Sequence, residues 1–283
     1  MNKRCFLSID FEDFSFDYKR KYKITNHNLR RSELDKAYNK INEFCINYLD
    51  NNKITFFCTG IIAKKYPDII KRISDDGHEI GCHYFYHDLI YKQDLKTFEN
   101  NIIKAKNYLE DVSSQKVRGF RAPYFGIRNF DFDYYKILEK YFEYDSTLNF
   151  SSKFQLDEFK RKSKIDRMSL FPVYSNKIFN LLPYKSGGTF FKIYSKNIIL
   201  NSLKISEENG LHPIVYLHPY EFLDDMSFFV SYNEFRELNF IEKNFLYFRQ
   251  YQWHYLGNSS VIPKLKVIFN NYSSGGKMSS LID

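Results

Sequence analysis

The 283-residue chain carries 42 lysines and arginines against 34 aspartates and glutamates, and aromatic residues make up 19% of it. This length suffices for one domain with a sizeable core. The positive charge is spread along the sequence without a long Lys/Arg block, so it does not indicate a nucleic-acid-binding protein. No apolar run is long enough to span a bilayer, and the N-terminus lacks the apolar stretch of a signal peptide. We therefore expect a cytoplasmic protein.

The four cysteines, at positions 5, 45, 58 and 82, form no C-x-x-C pair. Three lie in apolar, strand-like runs and one lies on a helical face. Buried, reduced thiols are the expected state, which agrees with a reducing compartment.

Short apolar runs alternate with amphipathic segments through the first half of the chain. The predicted strands cover 5–10, 54–60, 78–82, 117–120 and 143–146, and a further strand covers 213–218. The predicted helices begin at Ser32 and cover 61–75 with a bend at Pro67, 94–111, 131–141 and 195–209. Residues 17–31 are predicted to be a loop. This βαβα alternation predicts a parallel sheet or barrel.

The remaining segments are less regular. Residues from about 149 to 170 are charged and aperiodic, which indicates an insertion. The segment from about 231 to 272 has a helical pattern. Residues 273–283 are rich in Ser and Gly and are predicted to be disordered. A single domain is therefore expected over 1–272.

Carboxylates and imidazoles crowd two predicted strand ends. Asp10, Glu12 and Asp13 follow the first strand, and His83 and His87 follow the third. If the segment from His83 is helical, the four-residue spacing puts both imidazoles on one face, where they can share a cation such as Zn²⁺. An acidic turn, a helix cap and structural histidines are the alternatives.

Further polar residues follow later strands: Arg121 and Tyr124 after the fourth, Asp145 and Ser146 at the fifth, and His218 at the last. Each suspected group thus lies at the carboxyl end of a predicted strand, which is the active-site face of a parallel α/β barrel.

Five motifs in this order, SIDFED, HEIGCHYFYH, RGFRAPYF, YDS and VYLHPYEF, give the chain a resemblance to the polysaccharide deacetylase (NodB homology) family. More narrowly, it resembles the bacterial branch found in exopolysaccharide and O-antigen loci. The resemblance runs from about residue 4 to about 225. It implies a deformed (β/α) barrel with about seven parallel strands. It also implies a metal-dependent hydrolase that removes the N-acetyl group of an amino sugar in a surface glycan or its precursor.

The first family motif supplies a catalytic base and a metal-binding carboxylate. The base falls on Asp10, and Asp13 is the leading candidate for the carboxylate. The commonest family pattern has two adjacent aspartates, but here Phe11 and Glu12 intervene. Glu12 is therefore an alternative ligand.

The second motif supplies two metal-binding histidines, which fall on His83 and His87. The family often has Ser or Thr after the first of these, whereas this chain has Tyr84. The implied cofactor is Zn²⁺ or another divalent transition metal.

The last three motifs imply five further roles. Arg121 pairs with the base, and the backbone N–H of Tyr124 faces the oxyanion and the substrate. Asp145 orients the late histidine. Leu217 forms part of the acetyl pocket, and His218 is the general acid.

Two other functions share these features: an inactive, glycan-binding member of the family, and another C–N hydrolase of the same fold, such as an allantoinase-like enzyme.

Segment 240–255 is rich in aromatic residues, with Lys243 and Arg249 among them. It is a candidate for peripheral contact with the inner face of a membrane, with core packing as the alternative.

Overall fold

Seven parallel strands form the central layer of the computed structural model, which describes residues 3–24, 28–178 and 181–283. In chain order the strands are β1 (Arg4–Phe11), β2 (Thr55–Cys58), β3 (Glu79–Cys82), β4 (Gly119–Phe120), β5 (Tyr144–Asp145), β6 (Asn149–Phe150), β7 (Ser169–Leu170), β8 (Val173–Ile178), β9 (Leu182–Lys185), β10 (Ile214–Leu217) and β11 (Ser273–Ser274). The central order is β10-β1-β2-β3-β4-β5-β7, with β11 paired to the start of β1. The predicted seven-stranded α/β barrel is confirmed.

Helices connect the strands and cover the outside of the sheet. They are α1 (Phe14–Lys21), α2 (Arg31–Tyr48), α3 (Gly60–Lys65), α4 (Pro67–Asp75), α5 (Leu95–Ser113), α6 (Phe132–Tyr141), α7 (Lys153–Ser163), α8 (Gly188–Ile193), α9 (Lys196–Glu208), α10 (Phe240–His254) and α11 (Val261–Asn271). The bend expected at Pro67 is a full break, because Tyr66 leaves helical geometry and Pro67 begins α4. The loop predicted for 17–31 is wrong at its start, where α1 extends to Lys21.

The strand register aligns the carboxyl ends of the central sheet. Cys58 of β2 pairs with Cys82 of β3, which pairs with Phe120 of β4, which in turn pairs with Asp145 of β5. On the other side of the sheet, β1 pairs with β10, and the last pair in this register is Ile9 with Leu217. The residues that follow these strands therefore meet along one edge, where the functional side chains collect.

A smaller sheet lies across the opening between β7 and β10. It consists of β6, β8 and β9, with β8 and β9 antiparallel. Ser186 joins the two sheets, since its N–H donates to the Tyr174 carbonyl and its own carbonyl accepts from the Tyr216 N–H. The opening of the barrel is thus filled by ordered backbone.

The insertion predicted for about 149–170 is wrong as a description of structure. This segment contains strand β6, helix α7 and strand β7, and β7 is one of the seven central strands. The strands β6 and β7 have only two residues each, too few to show an alternating pattern in the sequence.

The disordered end predicted for 273–283 is also wrong. The Ser273 N–H donates to the Lys3 carbonyl, and Gly275 N–H donates to the Cys5 carbonyl, so the end runs alongside β1. Met278 is fully buried, and its backbone N–H donates to the Thr55 hydroxyl. Two backbone pairings and one buried anchor hold a segment whose composition alone favours disorder.

Replacing Met278 with alanine is expected to lower the free energy of unfolding by about 2–4 kcal/mol, because a fully buried side chain is lost from a packed cluster with Phe6, Phe57 and Tyr216. Urea unfolding checks this value. The matched control is Met226→Ala, at an exposed methionine, for which a change within about 0.5 kcal/mol is expected. Equal, small effects of both changes would contradict the packed end.

Within the described residues, no helix is both long enough and apolar enough to cross a membrane.

Candidate active site

A cavity of about 400 Å³ opens at the carboxyl edge of the central sheet. Its polar lining includes Asp10, Glu12, His83, His87 and His218. These residues come from the ends of three strands, β1, β3 and β10, and the aligned register brings them together. The rest of the lining is mostly aromatic, as in many pockets that hold small ligands.

Glu12, His83 and His87 converge at one end of the cavity. Their ligand atoms lie within 4.8 Å of one another. The Glu12 Oε2 atom is 3.3 Å from His83 Nε2 and 2.6 Å from His87 Nε2. All three side chains are almost completely buried. Two imidazoles and one carboxylate are a ligand set typical of catalytic zinc sites.

The hydrogen bonds around this group favour a cation. The His83 Nδ1 atom lies 2.8 Å from the Arg121 carbonyl oxygen, which can only accept. His83 Nδ1 must therefore carry the proton, and in the neutral ring Nε2 presents a lone pair to the cluster. Burial lowers the pKa of His87 despite its neighbour Glu12, which favours the neutral ring there too.

The carboxylate completes this arrangement. Burial raises the pKa of Glu12, but the adjacent imidazoles of His87 and His83, with that of His218, bring it well below its ordinary value, so the group is ionised. Among the described residues, Oε2 of Glu12 receives no hydrogen bond of acceptable geometry. A buried anionic oxygen without a donor, beside two nitrogen lone pairs, fits a divalent cation.

Asp13, the leading candidate ligand from the sequence, is not part of this group. Its carboxylate caps helix α1 by accepting from the Phe16 N–H at 3.1 Å and from the Ser15 hydroxyl at 3.0 Å. It also accepts from the Arg30 N–H. Asp13 is thus engaged as a helix cap, and the carboxylate that lies beside the two histidines is that of Glu12.

The segment that carries both histidines is a loop and not the helical turn considered from the sequence. The two imidazole rings are nevertheless 5.3 Å apart. Tyr84 has a positive φ of 65° and is fully buried, where its hydroxyl donates to Gln93 at 2.6 Å. Arg20 of α1 pairs with Asp88 at the end of the loop. Tertiary contacts, more than helical spacing, therefore bring the two rings together.

Asp10 and Arg121 form a buried ion pair beside the cluster. Arg121 Nη1 is 2.7 Å from Asp10 Oδ1, and both side chains are almost inaccessible to solvent. The same nitrogen donates to the Ser8 hydroxyl at 2.9 Å, and Nη2 donates to the Ser146 hydroxyl at 2.9 Å. The guanidinium is thus held on several sides and fixes the orientation of the carboxylate, as predicted.

His218 faces the cavity but is not oriented by Asp145. Its Nδ1 lies 3.1 Å from Glu221 Oε2, and the same carboxylate accepts from the His218 N–H at 2.9 Å. Burial lowers the pKa of His218, but the charge and hydrogen bond of Glu221, with the charges of Glu12 and Asp10, raise it to about 9. His218 is therefore positively charged near neutral pH, with Nε2 left for proton donation.

Asp145 contacts Thr147 and not His218. Its carboxylate accepts from the Thr147 N–H at 2.9 Å and from the Thr147 hydroxyl at 2.6 Å. Burial raises its pKa to about 7 despite these bonds and the charge of Arg121. The Thr147 hydroxyl in turn accepts from the Ala122 N–H at 2.9 Å. Asp145 thus holds the backbone that follows Arg121, and its predicted contact with the late histidine is wrong.

Leu217, predicted to line the acetyl pocket, is fully buried in the main hydrophobic core. Within the described residues the cavity is lined instead by its neighbours Tyr216 and His218. Successive side chains of a strand point to opposite faces, so only one of the two sets can reach the cavity.

Tyr124 lies at the cavity as predicted. It belongs to a short 3-10 turn, Pro123–Phe125, and has a positive φ of 56°. Its ring is 4.1 Å from that of His87. The turn thus places the Tyr124 ring against that of His87.

Four further residues of the site were missed from the sequence. Glu221 is the partner of His218, and Lys185, Trp253 and His254 line the cavity. Glu221 could have been found, because a glutamate three residues after the residue that begins a turn is a capping-box pattern. No comparable pattern marks the other three, which reach the cavity from β9 and α10 through tertiary packing.

Comparison with known proteins shows what this arrangement is related to. The family model described as polysaccharide deacetylase matches residues 33–138, a segment that contains His83, His87, Arg121 and Tyr124. This segment of the chain is similar to the polysaccharide deacetylase family. The other acidic and basic groups of the site lie outside the matched segment, and the fold brings them to it.

Two relatives illustrate the likeness. The peptidoglycan-N-acetylglucosamine deacetylase of Bacillus cereus is 38% identical over 74 residues, which are 26% of this chain and 27% of that protein. The chitooligosaccharide deacetylase of Azorhizobium caulinodans is 41% identical over 71 residues, 25% of this chain and 34% of that protein. The matched segment thus spans about a quarter to a third of each relative.

Solved structures resemble the whole chain more distantly. A family 4 carbohydrate esterase from Streptomyces lividans in complex with acetate has a TM-score of 0.49 and 12% identity, over 97% of this chain and 92% of that chain. At this similarity the likeness does not say which residues act.

Proposed function

We propose that this protein is a metal-dependent hydrolase that removes the N-acetyl group of an amino sugar, giving a free amine and acetate. One observation supports the proposal above others. A metal-binding triad, an arginine-held carboxylate and a cationic histidine all line the same cavity. Amide hydrolysis needs these three functions: an activated carbonyl, a base for water and an acid for the amine.

Glu12, His83 and His87 would hold the cation, for which we propose Zn²⁺. When bound, a divalent ion at these residues would polarise the acetamide carbonyl and increase the acidity of nearby water. The triad leaves coordination positions free of protein ligands, as catalytic zinc sites do.

Asp10 would act as the general base. Arg121 holds one of its oxygens, Oδ1, so the second oxygen is available to accept the proton of the attacking water. The same ion pair keeps the carboxylate in a fixed position beside the cavity. The N–H of Tyr124 would donate a hydrogen bond to the oxyanion.

His218 would act as the general acid. Because Glu221 engages Nδ1, the proton on Nε2 would pass to the departing nitrogen and make it a better leaving group. Protonation at neutral pH, supported by the pKa of about 9, supplies the proton before the C–N bond breaks.

Glu221→Gln is expected to move the alkaline limb of the pH–kcat profile to lower pH by about one unit or more. Glu221 raises the pKa of His218, so the neutral glutamine lets that pKa fall, and the imidazolium is lost at lower pH. Steady-state rates between about pH 6 and 10 measure the shift.

The matched control is Asp145→Asn, since the sequence favoured Asp145 as the partner of His218. Its carboxylate contacts Thr147 and not the histidine, so the alkaline limb should stay in place. A shift in the Asp145 variant with none in the Glu221 variant would reverse the assignment.

The substrate proposed is an N-acetylated sugar within a glycan or glycan precursor. The names of the relatives support this class, as they act on peptidoglycan N-acetylglucosamine and on chitooligosaccharide. The aromatic lining, with Trp253, Phe14 and Phe125, offers flat apolar surfaces for a sugar ring. A nucleotide-linked or lipid-linked precursor of a surface polysaccharide, met on the cytoplasmic side of the membrane, is the specific substrate we favour.

Acetate release from N-acetylglucosamine oligomers tests the proposal, with ammonia release from ureides measured in parallel. Acetate in stoichiometric amounts with new free amines is the expected result. Ammonia release without acetate would instead assign the protein to another class of C–N hydrolase. Glycan binding without either product would indicate an inactive, binding member of the family.

A further inference from the structure

Helix α10 exposes apolar side chains where a surface helix normally has polar ones. On its inner side Leu246, Gln250 and His254 are buried. On its outer side the exposed fractions are 77% for Phe240, 78% for Ile241, 59% for Phe245 and 60% for Phe248. Tyr251 is also exposed, and Leu256 just beyond the helix is half exposed. We call these six residues the α10 face.

The α10 face is an apolar surface that no other part of the chain covers within residues 3–24, 28–178 and 181–283. Isolated exposed apolar residues are normal in proteins, but four large ones on consecutive turns of one helix are not. The core-packing alternative considered from the sequence is therefore wrong for the outer side of the helix. The spacing of the four residues, at i, i+1, i+5 and i+8, keeps them on one side.

Basic residues flank the α10 face. The charged side chains of α10 are Glu242, Lys243 and Arg249. Lys243 lies over the Tyr232 ring at 3.8 Å, and Arg249 lies over the Trp253 ring at 4.2 Å. Arg249 also donates to the Gln252 side chain at 2.8 Å, and neither cation forms an ion pair with a carboxylate within the described residues. The chain as a whole has a net charge of +8. Aromatic residues with unpaired cations beside them match an anionic bilayer surface, where rings enter the headgroup region and cations meet lipid phosphates.

The α10 face also lies beside the active site, because Trp253 and His254 at the end of the same helix line the cavity. A surface bound by α10 would therefore hold the cavity close to that surface. A second copy of the chain is a less suitable partner for the α10 face. If the α10 faces of two copies packed together, the cations of one copy would lie against the cations of the other.

We propose that the α10 face docks this protein onto the surface of an anionic phospholipid bilayer. The helix would lie in the plane of the interface with Phe240, Ile241, Phe245 and Phe248 inserted among the lipids. Lys243 and Arg249 would contact the headgroups. This docking is independent of the proposed catalytic activity and is testable without a substrate.

Co-sedimentation with vesicles tests the docking. With phosphatidylcholine vesicles containing phosphatidylglycerol at low salt, the unchanged protein is expected to pellet. The double variant Phe245→Ser, Phe248→Ser is expected to lose at least roughly tenfold in binding, because two rings no longer enter the lipid. Both residues are exposed, so folding should be preserved. The control is Phe154→Ser, at a phenylalanine of α7 that is even more exposed, and this variant should pellet like the unchanged protein.

The electrostatic part is tested by Lys243→Gln with Arg249→Gln, which is expected to weaken binding to the anionic vesicles by roughly tenfold and to leave binding to pure phosphatidylcholine almost unchanged. The proposal is overturned if the unchanged protein stays in the supernatant with anionic vesicles. It is also overturned if sedimentation velocity shows a dimer that the phenylalanine double variant dissolves, since the α10 face would then bind a second copy. Acetate release, measured with a soluble oligosaccharide, should be the same in the phenylalanine variants as in the unchanged protein.

Discussion

Glu12→Gln is expected to remove the bound cation and to abolish turnover. The substitution keeps the size of the side chain but removes the negative charge between His83 and His87. Loss of a residue that only hydrogen-bonds to a metal ligand weakens metal binding by about 10–100-fold. Loss of the carboxylate ligand itself should therefore weaken metal binding by more than roughly 100-fold. Elemental analysis of the purified protein after dialysis measures the metal content directly.

The control for this experiment is Asp13→Asn, which changes the next carboxylate along the chain. Asp13 does not face the histidines, so this variant should keep its metal. Asparagine also caps helices, but its amide nitrogen cannot accept from the Arg30 N–H as Oδ2 does, so a loss of about 1 kcal/mol of stability is expected. If Asp13→Asn loses the metal while Glu12→Gln retains it, the ligand assignment is wrong.

Asp10→Asn is expected to keep the metal and to lower kcat by about 10²–10⁴-fold, the range typical for removal of a general base. An asparagine oxygen can still accept from Arg121, so the geometry of the ion pair should persist in a weaker form. Metal content, melting temperature and acetate release from the same preparation separate a chemical effect from a structural one.

Ser8→Ala serves as the comparison, because Ser8 contacts Arg121 Nη1 and not the cavity lining. It should change kcat by less than about tenfold, since Arg121 keeps its other partners. Equal losses in the Ser8 and Asp10 variants would indicate that the arginine environment, and not the base, controls the rate.

The positions of the main site residues could be predicted because parallel strands align their carboxyl ends. Asp10 lies near the end of a strand, and His83, Arg121 and His218 each directly follow one. The sequence marks these strands as apolar runs. Once those runs are placed side by side in one sheet, the residues that follow them must meet at one edge. This reasoning needs only the strand assignments, which are the strongest signal in the chain.

The choice between Glu12 and Asp13 required the structure. The residue at which α1 begins determines which carboxylate faces the histidines. The sequence did not predict this helix, because residues 17–31 were assigned to a loop. A capping signal was present, because Asp13 precedes a segment that ends in the basic residues Lys19, Arg20 and Lys21. The family pattern of two adjacent aspartates drew the ligand prediction away from Glu12.

The partner of His218 and the end of the chain could not be read from local sequence for a different reason. Asp145 and Glu221 are both carboxylates near strand ends, and only the tertiary contacts show that Asp145 is used by Thr147. The residues after Ser273 are ordered by β1 and by the pocket that receives Met278, neither of which leaves a pattern in a Ser/Gly-rich segment.

Stepwise addition of Zn²⁺ to chelator-treated protein, with acetate release from N-acetylglucosamine oligomers measured at each step, tests most directly whether Glu12, His83 and His87 hold a catalytic cation. The rate is expected to rise in proportion to added metal and to level off at about one equivalent per chain, and the Glu12→Gln variant should show no such rise. Full acetate release before any metal is added, or the same rise in the Glu12→Gln variant, would contradict a catalytic metal at these three residues.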